Sequence, residues 1–226
     1  MAGWIALVGG NEFRPNCELM DRSLLNRLGH KPKVLILPTA ARENPSLAAA
    51  NGIRHFQNLG AAAEAADILK REDALDPAWA AKLEEADFLY FTGGDPFYLL
   101  KVLENSPTWK TIVKLSQEGR MIGGSSAGAM ILGEEIWIPE QGWRKGLDMV
   151  PGLAVIPHHA SLAARWGVQK MRDSLSPAIA LVGIDEATAL AGPPWQVFGS
   201  GKVTLYPGTG SPPSPLTFSH GQEALW

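Results

Sequence analysis

Short, continuously apolar runs alternate with longer amphipathic stretches along most of this chain, and few folds accept that rhythm. Ile5 to Val8, Val34 to Leu37, Phe88 to Phe91, Met121 to Ile122, Leu153 to Ile156 and Ile179 to Val182 read as strands buried on both faces. Leu19 to Leu28, Ala48 to Leu59, Ala78 to Glu85 and Trp109 to Glu118 carry apolar residues at helical spacing. The alternation predicts an α/β fold: a three-layer, doubly wound, mostly parallel sheet with helices on both faces and right-handed crossovers. Near the C-terminus Thr188 to Leu190, Gln196 to Phe198 and Val203 to Tyr206 are separated by Gly and Pro, and are expected as an antiparallel extension of that sheet. Residues 207–215 are rich enough in Pro, Gly and Ser to predict a flexible loop, with Leu216 to Phe218 as an edge strand after it. A single domain spanning residues 1–226 accommodates all of this.

Composition narrows the function by exclusion. Twenty basic against 23 acidic residues give a net charge of −3, and no block of like charge offers a footprint for nucleic acid or anionic lipid. The longest apolar runs are far shorter than a bilayer span, and the N-terminal residues read as a first strand rather than a signal peptide. Cys17 is the only cysteine, so an internal disulfide is impossible, and it is expected as a small core residue rather than a reactive thiol. No Cys/His cluster has metal-site spacing. The expectation is a cytoplasmic protein with no metal and no organic cofactor.

Gly124-Ser125-Ser126-Ala127-Gly128 is a G-x-S-x-G sequence between a strand candidate and a helix candidate. A serine on so tight a strand-to-helix turn presents its hydroxyl, while small neighbours let the chain pass closely. The amide of the next residue, Ala127, opens the helix and can donate to a developing oxyanion. A second glycine turn, Thr92-Gly93-Gly94-Asp95-Pro96, follows another strand candidate, with Asp95 as a natural N-cap and Pro96 as a first helical residue. Gly94 would then offer a second amide at the C-terminal edge of the sheet, where open parallel sheets bind ligands.

A serine nucleophile needs a base, and five histidines are available. His30 closes a helix, His55 falls within one and His220 is near the C-terminus. His158 and His159 follow the strand Leu153 to Ile156, at the same edge as Ser126. Neighbours at a strand end point to opposite sides, so one of the two can face the serine. For the acid, Glu134, Glu135, Glu140 and Asp148 lie between Ser126 and His158; Glu140, in the loop Ile138 to Gly142, is the choice, with Glu134 and Glu135 on a solvated helix end. Asp95, Ser125 and Arg165 are candidates to touch substrate; Arg144 and Arg172 are further cations that could meet a carboxylate.

Taken in order, Thr92 to Asp95, the Gly124 to Ala129 turn, Pro151-Gly152-Leu153 with Pro157-His158, Gly183 to Leu190 and Val197 to Val203 resemble the dipeptidase E and cyanophycinase family of serine peptidases. The resemblance covers nearly the whole chain. It implies a class I glutamine amidotransferase-like, flavodoxin-like fold with serine in place of that fold's usual cysteine. It also implies Ser126 as nucleophile, His158 as base, Gly94 and Ala127 as oxyanion donors, and an acid at variable spacing. His159 stands where that family often has an aromatic residue. Cyanophycinases have Asp-Gln before the base and a close pair of arginines after it; this chain has Ile156-Pro157 and only Arg165. The reading is thus a serine hydrolase acting on a small peptide substrate, with a homodimer allowed. The alternatives are a non-catalytic binding protein on the same fold, or an esterase or amidase using the same residues.

Overall fold

The computed structural model describes residues 3–29, 31–208 and 214–224. In chain order the strands are β1 (Ile5–Val8), β2 (Lys33–Leu37), β3 (Ala62–Ala65), β4 (Phe88–Phe91) and β5 (Met121–Ser125). They continue as β6 (Gly133–Ile138), β7 (Gly142–Lys145), β8 (Val150–Ile156), β9 (Ala180–Ile184), β10 (Thr188–Gly192), β11 (Gln196–Gly199), β12 (Val203–Tyr206) and β13 (Leu216–Phe218). The helices are α1 (Glu18–Leu25), α2 (Pro45–Asn58), α3 (Arg71–Leu75), α4 (Trp79–Glu84), α5 (Pro96–Leu103), α6 (Pro107–Gln117), α7 (Ala127–Leu132), α8 (His159–Trp166) and α9 (Val168–Ser174).

These strands form two sheets rather than the single sheet expected. The first runs β11-β10-β1-β5-β4-β2-β3, with β1 to β5 mutually parallel and β10 and β11 antiparallel at one side. The second runs β13-β12-β9-β8-β6-β7, parallel only where β8 pairs β6 and β9. Thr188 to Leu190 and Gln196 to Phe198 do extend the first sheet, but Val203 to Tyr206 pairs with β9 in the second. Leu216 to Phe218 is an edge strand, on β12. The loop expected over 207–215 falls largely on residues 209–213, outside the described residues.

Side-chain alternation sorts the core of the first sheet into two clusters. Ala6, Val8, Val34, Ile36, Phe88 and Tyr90 pack with Met20 and Leu24 of α1 and Phe56 of α2. Leu7, Leu35, Leu37, Leu89 and Phe91 face the other way, against Leu99 of α5, Ile112 of α6 and Ile131 of α7. That second cluster continues into Leu153, Val155, Val182 and Leu205 of the second sheet, so one apolar core joins both sheets. Helix α7 lies at the joint, and all six of its residues are buried. A helix apolar all round belongs in such a place, where burying each large side chain contributes about 1.5–3 kcal/mol. Helix α9 closes the outer face of the second sheet through Val168, Met171 and, just past its end, Leu175, with Ala163 and Trp166 of α8 partly buried beside them. Among the described residues no helix is long and apolar enough to cross a membrane.

Candidate active site

β5 ends at Ser125 and α7 begins at Ala127, leaving Ser126 alone on the turn. Its backbone sits at φ 50° and ψ −109°, a region that L-residues rarely adopt and that costs on the order of 1–3 kcal/mol. The glycines make the turn feasible. A Cβ on Gly124 would meet the backbone of Gly128, and a Cβ on Gly128 would lie 2.7 Å from both Cβ and O of Phe91. The Ser126 amide donates to the Val8 carbonyl at 2.9 Å, which ties the turn to β1.

The hydroxyl of Ser126 lies 3.1 Å from Nε2 of His158. His158 follows β8 in a left-handed conformation (φ 50°, ψ 37°), fixed by its amide donating to Gly9 O at 2.7 Å. On the far side of the ring, Nδ1 is 2.8 Å from Oε1 of Glu186. A carboxylate can only accept, so the proton belongs on Nδ1, leaving Nε2 to accept from the serine hydroxyl. The second Glu186 oxygen accepts from Nδ2 of Asn11 at 2.7 Å, so the carboxylate is held at both ends. A serine, an imidazole and a carboxylate hydrogen-bonded in series are thus assembled from the ends of β5, β8 and β9.

The carboxylate on His158 is therefore Glu186 and not Glu140. Glu140 sits in the exposed turn between β6 and β7, at φ 66°. The segment expected to end as a helix is a hairpin instead: Trp137 and Trp143 face each other across it, and Glu134 and Glu135 lie on β6. Glu186 lies C-terminal to His158, outside the interval between serine and histidine in which the sequence reading places the acid. A usable signal was present, since Asp185-Glu186 directly follows a buried strand, the criterion that singled out His158. The two histidines diverge as expected, but not through strand alternation: β8 ends at Ile156, His158 is left-handed and His159 opens α8. His159 turns to the second sheet, with Nε2 2.8 Å from the Tyr206 hydroxyl and Nδ1 3.5 Å from Asp185. Burial holds its imidazole below the ordinary value of 6.5, with the Asp185 charge opposing.

A cavity of about 290 Å3 opens over the serine, lined by Asn11, Glu12, Arg14, Gly93, Gly94, Ser126 and His158. Gly94, at φ +141°, has an amide free of backbone hydrogen bonds among the described residues. Ala127, as the first residue of α7, has no partner within its own helix for its amide. A neighbouring cavity of about 680 Å3, between the loops after β2 and β4, shares Gly93 and Gly94 and adds Arg42, Asn44 and Asp95. Asp95 caps α5 by accepting from the Tyr98 amide at 2.9 Å and pairs with Arg42 at 3.0 Å. Ser125 is not offered to a substrate: it is fully buried, and its hydroxyl donates to Glu12 at 2.7 Å. Arg165 is exposed on α8 and is not among the residues lining the cavity, which include Arg14. Arg172 is buried against the carbonyls of Ser176 and Ile179, and Arg144 is exposed on β7. Cys17 is buried, its thiol pushed up to about 12 by burial first and the Asp21 charge second, and it donates to the Asn11 carbonyl at 3.0 Å.

A nucleophile turn, a relayed imidazole and amide donors on an α/β frame define the hydrolases that work through an activated serine. Sequence comparison specifies the class: residues 5–192 match Peptidase family S51, and the chain belongs to that family of serine peptidases. A cyanophycinase of Trichormus variabilis is 31% identical over 216 residues, spanning 89% of this chain and 72% of the relative. An uncharacterized peptidase of Pasteurella multocida is 31% identical over 120 residues, 48% of this chain and 57% of its own. Among solved structures, a peptidase from an acI-B1 Actinobacterium superposes with a TM-score of 0.87 at 31% identity, covering 100% of this chain and 98% of that one. A putative peptidase E from Listeria monocytogenes shares the fold, with a TM-score of 0.64 at 21% identity over 92% of this chain and 99% of that one.

Proposed function

We propose that this chain hydrolyses small peptides by acyl transfer through Ser126, with His158 as general base and Glu186 as its orienting acid. The hydroxyl attacks the scissile carbonyl as Nε2 of His158 takes its proton. The Gly94 and Ala127 amides hold the oxyanion, and the imidazolium then protonates the leaving amine. Water repeats the sequence on the acyl-enzyme. The observation that carries the reading is the unbroken Ser126–His158–Glu186 relay, 3.1 Å and 2.8 Å long at its two links. A complete relay is also what a non-catalytic binding protein would have no need to retain.

The frame is read as a three-layer, doubly wound first sheet, a reading supported by apolar clusters on both of its faces. The two cavities meeting at Gly93 and Gly94 suit a few residues of extended peptide. Only Arg165 follows shortly after His158, a departure from the arginine pair implied by the resemblance to cyanophycinases, and this favours a small peptide substrate. A cytoplasmic address suits a chain whose one cysteine is buried and reduced. The test is covalent labelling by a fluorophosphonate probe. The wild-type chain should label and Ser126→Ala should not, with peptide turnover falling by roughly 10³-fold or more. Equal labelling of the two would reject Ser126 as nucleophile.

A further inference from the structure

Glu12 has no part in the relay, yet its carboxylate lines the same cavity. Its Oε1 accepts from the Gly93 amide at 2.7 Å, and its Oε2 accepts from the Ser125 hydroxyl at 2.7 Å. Gly93 immediately precedes Gly94, and Ser125 immediately precedes Ser126. One carboxylate therefore grips the residue before each of two groups on which the proposed chemistry depends. The two turns are also in near contact: a Cβ on Gly93 would lie 2.8 Å from Glu12 Oε1 and 3.3 Å from Ser126 Cβ.

The loop that carries Glu12 is built to aim it inward. Asn11 and Phe13, on either side, both hold a positive φ (62° and 64°). Phe13 anchors the loop among His55, Phe56 and Tyr90, and the Cys17 thiol donates to the Asn11 carbonyl. The opposite partner needs such a clamp. Two adjacent glycines have the least conformational restriction of any dipeptide, so the Gly93–Gly94 turn has little of its own to fix where the Gly94 amide points. An oxyanion donor is effective only if its direction is set before charge develops.

We propose that Glu12 is a positioning residue that locks the Gly93–Gly94 turn onto the nucleophile turn and so preorganises the oxyanion site. This rests on the serine-peptidase reading of the site given above. The geometry of acceptance is what matters. Glu12→Gln keeps an oxygen for the Gly93 amide and can donate its NH2 to the Ser125 hydroxyl. Glu12→Asp keeps the charge but is one methylene too short to reach both partners.

The rate of fluorophosphonate labelling tests this, because the probe's phosphoryl oxygen uses the oxyanion site and the probe carries no peptide amine. Labelling should slow on the order of 10- to 100-fold in Glu12→Ala and Glu12→Asp. In Glu12→Gln it should stay within roughly threefold of wild type. The pH at half-maximal rate should not move in any of them. Rates are read at a temperature where circular dichroism shows each chain folded, and Glu12→Asp against Glu12→Gln decides the matter if the alanine variant does not fold. Wild-type rates in Glu12→Asp, or equal losses in Glu12→Asp and Glu12→Gln, would overturn the proposal. Labelling of wild type but not of Ser126→Ala keeps the peptidase reading intact whichever way Glu12 falls; no labelling of wild type rejects both.

Discussion

Ser126 and His158 each hold a positive φ, and each is pinned there by a hydrogen bond from its own amide to the loop after β1 or to β1 itself. Strain of this kind persists only where surroundings over-determine it, and here it aims two side chains at one point. The surroundings include what is missing: a Cβ on Gly10 would occupy the space of the His158 ring. The third member, Glu186, can be tested against Glu140, the acid expected from the sequence. Glu186→Gln leaves a single oxygen, which the Asn11 Nδ2 donor claims, so the new NH2 faces His158 Nδ1 and favours the wrong tautomer; labelling should fall by roughly 10²- to 10⁴-fold. Glu140→Gln, in an exposed turn, should label at the wild-type rate. The reverse pattern would reassign the acid. The serine was legible from the G-x-S-x-G turn between a strand and a helix candidate, and the histidine from its place just after an apolar run. Glu186 was equally well marked, but the acid's position relative to its partners in the chain is not fixed by physics, since only spatial convergence matters.

Elements differ in how openly they announce themselves. The central parallel strands did so because burial on both faces demands unbroken apolar runs, as in β4 with all four residues buried. β3 did not: Ala62-Ala63-Glu64-Ala65 is an edge strand with no β-branched residue, and it pairs only with β2. The β6–β7 hairpin was hidden because Gly133 follows α7 without an intervening turn, so its glutamates read as a helix tail. The start of α8 carries a consequence for stability. His159 is packed between Gly183 of β9 and Tyr206 of β12, and its folded-state pKa is depressed by burial. The unfolded chain therefore binds a proton at this position at a higher pH than the folded chain does. Stability from this source is complete above the ordinary 6.5 and is lost as pH falls below it. Urea midpoints at about pH 7.5 and about pH 5 should separate wild type from His159→Gln. The variant should be less stable by about 1 kcal/mol at the higher pH, through loss of the Tyr206 hydrogen bond, and the gap should narrow in acid. A constant gap would mean that protonation of His159 plays no part.

Across the whole molecule, the relay spans a boundary that no apolar run could reveal. Such a run reports that a strand is buried, not which sheet it joins, and β8 and β9 read no differently from β2 and β4. Ser126 comes from the first sheet, whereas His158 and Glu186 stand at the ends of second-sheet strands. Their separation is set where the sheets are tied together, at Gly9 and Gly10. Gly9 O accepts from His158 N at 2.7 Å and Gly10 O accepts from Ala187 N at 3.0 Å, while Gly9 N stays within the first sheet by donating to Thr188 O of β10 at 2.9 Å. A Cβ on Gly9 would collide with the carbonyl oxygens of Ile184 and Asp185, which are backbone and cannot swing aside. Gly9→Ala must therefore push β9 and the Glu186 turn away from β1. The cost to stability should be about 1–3 kcal/mol, typical of overpacking, measured by denaturant titration. Labelling of Ser126 should fall with it, even well below the melting temperature, because the displaced segment carries the acid and adjoins the base. If stability drops while the labelling rate of the folded chain holds, the relay tolerates movement between the sheets, and the joint at Gly9 serves folding alone.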